Sequence, residues 1–493
     1  MISELVATSW LALMGSLVLT LSEGTSMQRR ARAFAALPIG LSLNVTATSV
    51  CLGLGLGFQP LLPVILVAAL TAVLLRRTSE RRDLCEVLSA LFESQITSLA
   101  IVALLGIAIQ PILTNDSYLL IEYGRWLEGD HIALTTRFFA DWPLNAMHLQ
   151  AWAPRLGTDY LVFVLAGAGL SGVFAAFELA FTANNWSTRA TLLFAAFLAG
   201  QVATTYMLRA QAGLLNSHAV CAGFLCLAVA LADRRDPATG QRTGVVLVAL
   251  LASGLALTRM EGLILSALVM AFLVALSPVK RRDLIVLGLV GVCAPAPYYL
   301  RLATASEAGS VLSPSRILMT LAGSFLFLVT LWVVTHPRAR LLVARFSLLA
   351  LPVVALVTCL LRPDSALESL TALVDNALAT GNWGTLWWWL LPATVMVTLA
   401  PNPTGEQQAW IALLAALLAL LAFLGALRQF PYRLGWGDSG NRMLVHVTPV
   451  FALYTARWAR YRGSTTEALT ENGDRYARSH MTDQPETREN HGL

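Results

Sequence analysis

The sequence predicts an all-α protein: a polytopic bundle of about 13–16 transmembrane helices with a juxtamembrane helical loop on the outer side. Three observations predict it. Of 493 residues, 56% are hydrophobic and only 13% are charged, whereas ordinary soluble domains carry about 25% charged residues. The apolar residues come in blocks of about 17–25, the length that crosses a bilayer core at about 1.5 Å per residue. The basic clusters between the blocks all fall in connections of the same parity, so that all of them can face the cytoplasm together.

Apolar blocks lie near 5–22, 34–56, 58–75, 95–113, 158–182, 188–207, 215–232, 243–258, 262–278, 283–300, 317–335, 346–361, 384–400, 409–427 and 442–457. The first has no Lys or Arg before it and no clear small-residue cleavage site, so it reads as a retained span rather than a signal peptide. Strict alternation is absent, which disfavours a lipid-facing β-barrel. The basic clusters are Arg29/Arg30/Arg32, Arg76/Arg77/Arg81/Arg82, Arg234/Arg235/Arg242, Lys280/Arg281/Arg282, Arg338/Arg340/Arg345 and Arg457/Arg460/Arg462. The net charge of +5 is therefore a topology signal and not a nucleic-acid signal. The six cysteines form no CxxC pair and no metal-like set with histidine. Three units follow: additional membrane spans over 1–93, a main membrane module over 94–462, and a polar, disordered cytoplasmic tail over 463–493.

The opposite parity faces outward, and its longest connection is 114–157. There Asn115 and Asp116 open an amphipathic stretch in which Leu119, Trp126 and Leu127 share one helical face and Glu122 and Arg125 another. Asn115 or Asp116 can act as a helix N-cap; a carboxylate at a membrane mouth is also suited to act as a general base. Near 428–446, Asp438, Asn441 and Arg442 stand at the mouth of the last block, with His446 one turn below. An arginine there either snorkels to the headgroups or holds phosphate through its planar fork of donors. Arg259 and Glu261 are opposite charges with almost no loop between two blocks, either a self-neutralising pair or groups facing a wet cavity. Arg209, Asn216 and His218 flank the connection 208–216. Trp383, Trp387, Trp388 and Trp389 suit an aromatic belt or a stacking wall for sugar or prenyl groups. A mixture of one acid and several cations at one face suits a substrate with a phosphate head and a lipid tail.

Asn115-Asp116-Ser117-Tyr118 followed by Gly124-Arg125-Trp126-Leu127-Glu128-Gly129-Asp130 resembles the first outer loop of the GT-C superfamily of polytopic membrane glycosyltransferases. Leu257-Thr258-Arg259-Met260-Glu261-Gly262 is similar to a stretch common in the members related to protein O-mannosyltransferases and lipid A aminoarabinose transferases. Gly440-Asn441-Arg442-Met443 with Pro449 looks like their late segment of an arginine at a span mouth. The resemblance covers about 110–300 and 428–458. It implies a GT-C fold and sugar transfer from a polyprenyl-phosphate-linked donor to a lipid, glycan or protein acceptor at the periplasmic or exterior face. Asp116 takes the place of the catalytic acid; Arg442, Arg259 and Arg209 are the donor-phosphate candidates. Asn115, Glu261, His218, Asp438, Asn441 and His446 complete the outer-face set. The chain departs from the pattern in having three blocks before the one leading into Asp116. It also has Asn115 where relatives often have a second acid, which weakens a divalent-metal site built on that pair; a divalent cation stays open and no other cofactor is implied. The rivals are a lipid-linked polysaccharide polymerase or ligase and a lipid or small-molecule transporter. The former usually concentrates its chemistry in a late loop; the latter needs mid-membrane charges or helix breaks, as at Pro295 and Pro297.

Overall fold

Apolar runs of this length close their backbone hydrogen bonds internally, and the chain is all-helical, with no strand among the described residues. The structure is a computed structural model and describes residues 1–23, 27–81, 84–129, 144–183, 205–234, 244–259, 261–276, 280–299, 337–399, 403–428, 430–435 and 437–459. The tail from 463 with Arg460 and Arg462 before it, Arg235 and Arg242 of the cluster at 234–242, nearly all of block 188–207 and all of block 317–335 lie outside them.

The helices, in chain order, are α1 Ile2–Glu23, α2 Arg29–Gly53, α3 Leu62–Arg81, α4 Leu84–Ala108, α5 Asn115–Glu128, α6 Leu144–Trp152, α7 Phe163–Ala183, α8 Tyr206–Gly213 and α9 His218–Asp233. They continue with α10 Val245–Ala256, α11 Gly262–Leu276, α12 Arg281–Val286, α13 Pro337–Leu361, α14 Pro363–Asp375, α15 Leu386–Thr398, α16 Gly405–Leu427 and α17 Ser439–Ala459.

Among the described residues, five helices are long and apolar enough to cross a membrane: Ile2–Ser22, Arg29–Gly53, Cys85–Ala108, Phe163–Thr182 and Gly405–Leu427. A sixth span exists if Leu348–Leu361 and Pro363–Thr380, bent by 117° at Pro363, count as one. This is fewer than the apolar blocks, because two of the blocks lie almost wholly outside the described residues and several of the other helices are short. The block 243–258 yields only the 12 residues of α10, about 18 Å of rise against a hydrocarbon core of about 30 Å. The block 283–300 breaks into the six residues of α12 and a π-helical turn, Leu287–Cys293, ahead of Pro295 and Pro297.

Small residues set the closest helix contacts. A side chain at Gly15 would overlap the α2 backbone at Ala36, and one at Gly223 would overlap Gly169 in α7. Backbones at this separation gain dispersion contacts along their length, the usual glue between helices in lipid. The start of α7 is held differently. The Glu4 carboxylate, buried in α1, accepts the free amides of Val162, Phe163 and Val164 at 2.6, 3.2 and 3.0 Å, where a helix N-terminus favours an anion. Helices α9 and α17 run side by side in the same direction, joined near their starts by His218 and His446 and at their ends by Asp233 and Arg457, 2.8 Å apart.

Candidate functional site

The residue run after α4 is pinned to the run before α9. The Ile112 amide donates to the Gly213 carbonyl at 2.7 Å within an isolated parallel bridge of Ile112 with Leu214. One turn later Ser117 Oγ donates to the Leu215 carbonyl at 3.2 Å. The first turn of α5 therefore sits beside the first turn of α9. Its N-cap is Thr114, which exchanges reciprocal hydrogen bonds with Ser117 in a capping box. Neither Asn115 nor Asp116 is the cap. Asn115 is exposed, and the Asp116 carboxylate, free of capping duty, meets Arg442 Nη1 at 3.3 Å.

The buried face of α5 also differs from the expected one. Ser117, Leu120, Ile121, Tyr123, Gly124 and Leu127 are buried, while Leu119 and Trp126 are only partly covered. The helix lies against α6 instead of resting on a surface by Leu119 and Trp126: a Cβ at Gly124 would strike Gln150. Glu122 and Arg125 share the exposed side.

Arg442 is aimed by the residues around it. Asp438 Oδ2 accepts from the Gly440 amide at 2.6 Å and the Asp438 carbonyl accepts from the Arg442 amide at 3.0 Å, so Asp438 serves as the cap of α17. Asn441 is fully buried; its Oδ1 accepts from Trp383 Nε1 at 2.5 Å and its Nδ2 donates to the Gly381 carbonyl at 3.0 Å. These bonds fix the roll of the helix. Arg442 then faces α5, and His446, one turn on, faces α9.

Arg259 comes from the turn between α10 and α11, which α6 holds in place. The Asn145 amide donates to the Leu257 carbonyl at 2.9 Å, and Asn145 Nδ2 donates to Thr258 Oγ1 at 3.1 Å. Arg259 Nε donates to Glu261 Oε1 at 2.5 Å, and Arg259 Nη1 lies 3.2 Å from His218 Nε2. His218 Nδ1 in turn lies 2.8 Å from His446 Nε2. An arginine N–H only donates, so His218 Nε2 accepts; its proton then sits on Nδ1, and His446 Nε2 accepts it. The charges of Arg259 and Arg442 both bear on His218.

No family model, no curated protein and no solved structure matches this chain. The site is therefore read from its own geometry. Asp116, Arg442, His446, His218, Arg259 and Glu261 form one continuous polar cluster at one end of the bundle. Asn216 supports it from below, with Oδ1 accepting from the His218 amide at 3.0 Å and Nδ2 donating to Gln211 at 3.0 Å. Arg209 is exposed on α8, and no contact among the described residues joins its side chain to the cluster. Of the tryptophans, Trp383 and Trp387 are buried in the bundle rather than set in a belt; Trp388 is exposed. Among the described residues no three His, Cys, Asp or Glu side chains converge as a metal-ligand set.

Arg442 has capacity to spare. Its Nε is buried and has no hydrogen-bond partner among the described residues. The cluster thus offers a half-exposed carboxylate as proton acceptor, beside a guanidinium with donors unused and a second guanidinium held by Glu261. Thr114, Ser117 and Asn145 were not singled out as site residues from sequence, and Trp383, expected in a belt or stacking wall, instead anchors Asn441. The Thr114-x-x-Ser117 spacing is the one local signal among them.

Proposed function

We propose that this chain is a membrane glycosyltransferase of the GT-C type, moving a sugar from a polyprenyl-phosphate-linked donor to an acceptor hydroxyl on a lipid, glycan or protein at the extracytoplasmic face. One observation carries the reading: Asp116 and Arg442, 326 residues apart in sequence, meet at 3.3 Å beside Arg259 and the histidine pair. An acid for an incoming hydroxyl and two guanidiniums for a departing phosphate are what such a transfer needs, and the charges of Arg442 and Arg259 both bear on His218.

Asp116 takes the acceptor proton as the acceptor oxygen forms its bond to the anomeric carbon. The bond from that carbon to the phosphate oxygen breaks, and its electron pair leaves with the polyprenyl phosphate. Arg442 and Arg259 stabilise that charge. The orientation rests on the arginine clusters, which assign the opposite end of the bundle to the cytoplasm.

The test is sugar transfer by the purified chain in vesicles containing a polyprenyl-phosphate-linked sugar. Asp116→Asn should lower the rate by about 10²–10⁴-fold, and full activity in that variant would rule out the assignment. The break at Pro363 also suits a lipid carrier. Lipid translocation across the same vesicles without sugar transfer would favour that second reading.

A further inference from the structure

The contact between Asp116 and Arg442 has an unusual balance. It is a single contact of 3.3 Å, on a carboxylate whose side chain is 38% exposed. Such a pair is weakly held. The same guanidinium keeps Nε out of solvent and, among the described residues, without a partner, a donor that is costly to leave unused. The arrangement occupies both groups that the reaction needs: the acid is neutralised by the cation, and the cation is turned toward the acid. Nothing else in the cluster shares this conflict. Arg259 has Glu261 on Nε and His218 on Nη1.

We infer that the Asp116–Arg442 pair is a resting latch that the phosphate of a lipid-linked ligand opens, so that the donor must bind before Asp116 is free to receive the acceptor hydroxyl. The inference rests on the glycosyltransferase reading and deepens it. A phosphate presents at least two unbridged oxygens, which a guanidinium grips with Nε and one Nη together. Turning Arg442 onto phosphate exchanges one long contact for two and gives Nε its missing partner. Carboxylate and phosphate repel each other on one guanidinium, so Asp116 swings toward solvent, which its exposure permits. No acceptor is deprotonated until a leaving group is in place, which protects the donor site from idle proton transfer. When the phosphate monoester leaves, the pair re-forms.

A latch lowers the apparent affinity for phosphate by the fraction of molecules held closed. The test uses the full chain in detergent with farnesyl phosphate as the probe and inorganic phosphate as the competitor. Asp116→Asn abolishes the latch and should tighten farnesyl phosphate binding by about tenfold if about nine molecules in ten rest closed. Glu122→Gln removes an exposed carboxylate farther along α5 from Asp116, and should leave binding within about twofold because Glu122 holds no guanidinium among the described residues. If Asp116→Asn leaves binding unchanged, or if both variants tighten it equally by simple loss of negative charge, the latch is overturned while the phosphate site stands. If farnesyl phosphate does not bind the parent protein, or inorganic phosphate binds as tightly, the lipid-linked donor reading falls and the latch falls with it.

Discussion

The imidazoles of His218 and His446, one from α9 and the other from α17, stack with ring centroids 4.9 Å apart and share a 2.8 Å hydrogen bond. Because Arg259 donates to the far side of His218, the bonds run in one direction, from arginine to the first histidine to the second. His446→Phe keeps the ring stack but deprives the buried His218 N–H of its acceptor, at a cost of about 1–3 kcal/mol. Thermal unfolding in detergent should show this loss, and His446→Gln, whose amide oxygen can accept, should recover part of it. An unchanged midpoint in the phenylalanine variant would mean that the bond contributes nothing to stability.

Glu261 orients the Arg259 guanidinium through Nε. Glu261→Gln should cost about 1–3 kcal/mol, below the 3–5 kcal/mol of a fully buried pair because Arg259 keeps some solvent contact. If Arg259 grips donor phosphate, the variant should raise KM for the donor more than it lowers kcat. A loss confined to kcat, with KM unmoved, would remove Arg259 from the phosphate.

The capping box places the first turn of α5, and with it Asp116. Thr114→Ala should destabilise the protein by about 0.5–2 kcal/mol. On the proposed glycosyltransferase reading it should also slow sugar transfer, because the Asp116 carboxylate is no longer aimed. Thr114→Ser restores the oxygen and should restore both properties; a serine variant as slow as the alanine one would separate the cap from the chemistry.

Helices were legible in the sequence because apolar length is a property of consecutive residues. Blocks 5–22, 34–56 and 409–427 correspond to α1, α2 and α16. The gathering of Asp116, Arg259, His218, Asn441, Arg442 and His446 at one end followed from parity alone. What the sequence could not provide was direction. Which face of α5 is buried depends on α6 packing against Gly124, a contact set by tertiary structure. Arg209 shares the segment of Asn216 and His218 but turns to solvent on α8. Asp438 lies close to Arg442 in sequence yet spends its carboxylate on the helix start. Periodicity cannot distinguish a side chain that serves a ligand from one that serves its own backbone.

Gly223 sits where α9 crosses α7, against Gly169. Gly223→Leu should separate the two helices and cost at least about 1–3 kcal/mol through overpacking. The measurement is the yield of monodisperse folded protein on size exclusion, together with its unfolding midpoint. Because α9 begins at His218, the proposed sugar transfer should fall with stability. A leucine variant that folds and melts like the parent would show that the backbones do not need this approach.

The 326 residues between Asp116 and Arg442 also set a timetable for biogenesis. A ribosome adding about 5–20 residues per second needs on the order of 16–65 s to carry the chain from one to the other. Arg259 and Glu261, two residues apart, neutralise each other almost as soon as they emerge. Asp116 must wait for its partner until α17 arrives. The nascent chain therefore holds the Arg259–Glu261 pair long before it can form the Asp116–Arg442 pair, which is assembled only when α17 has been added.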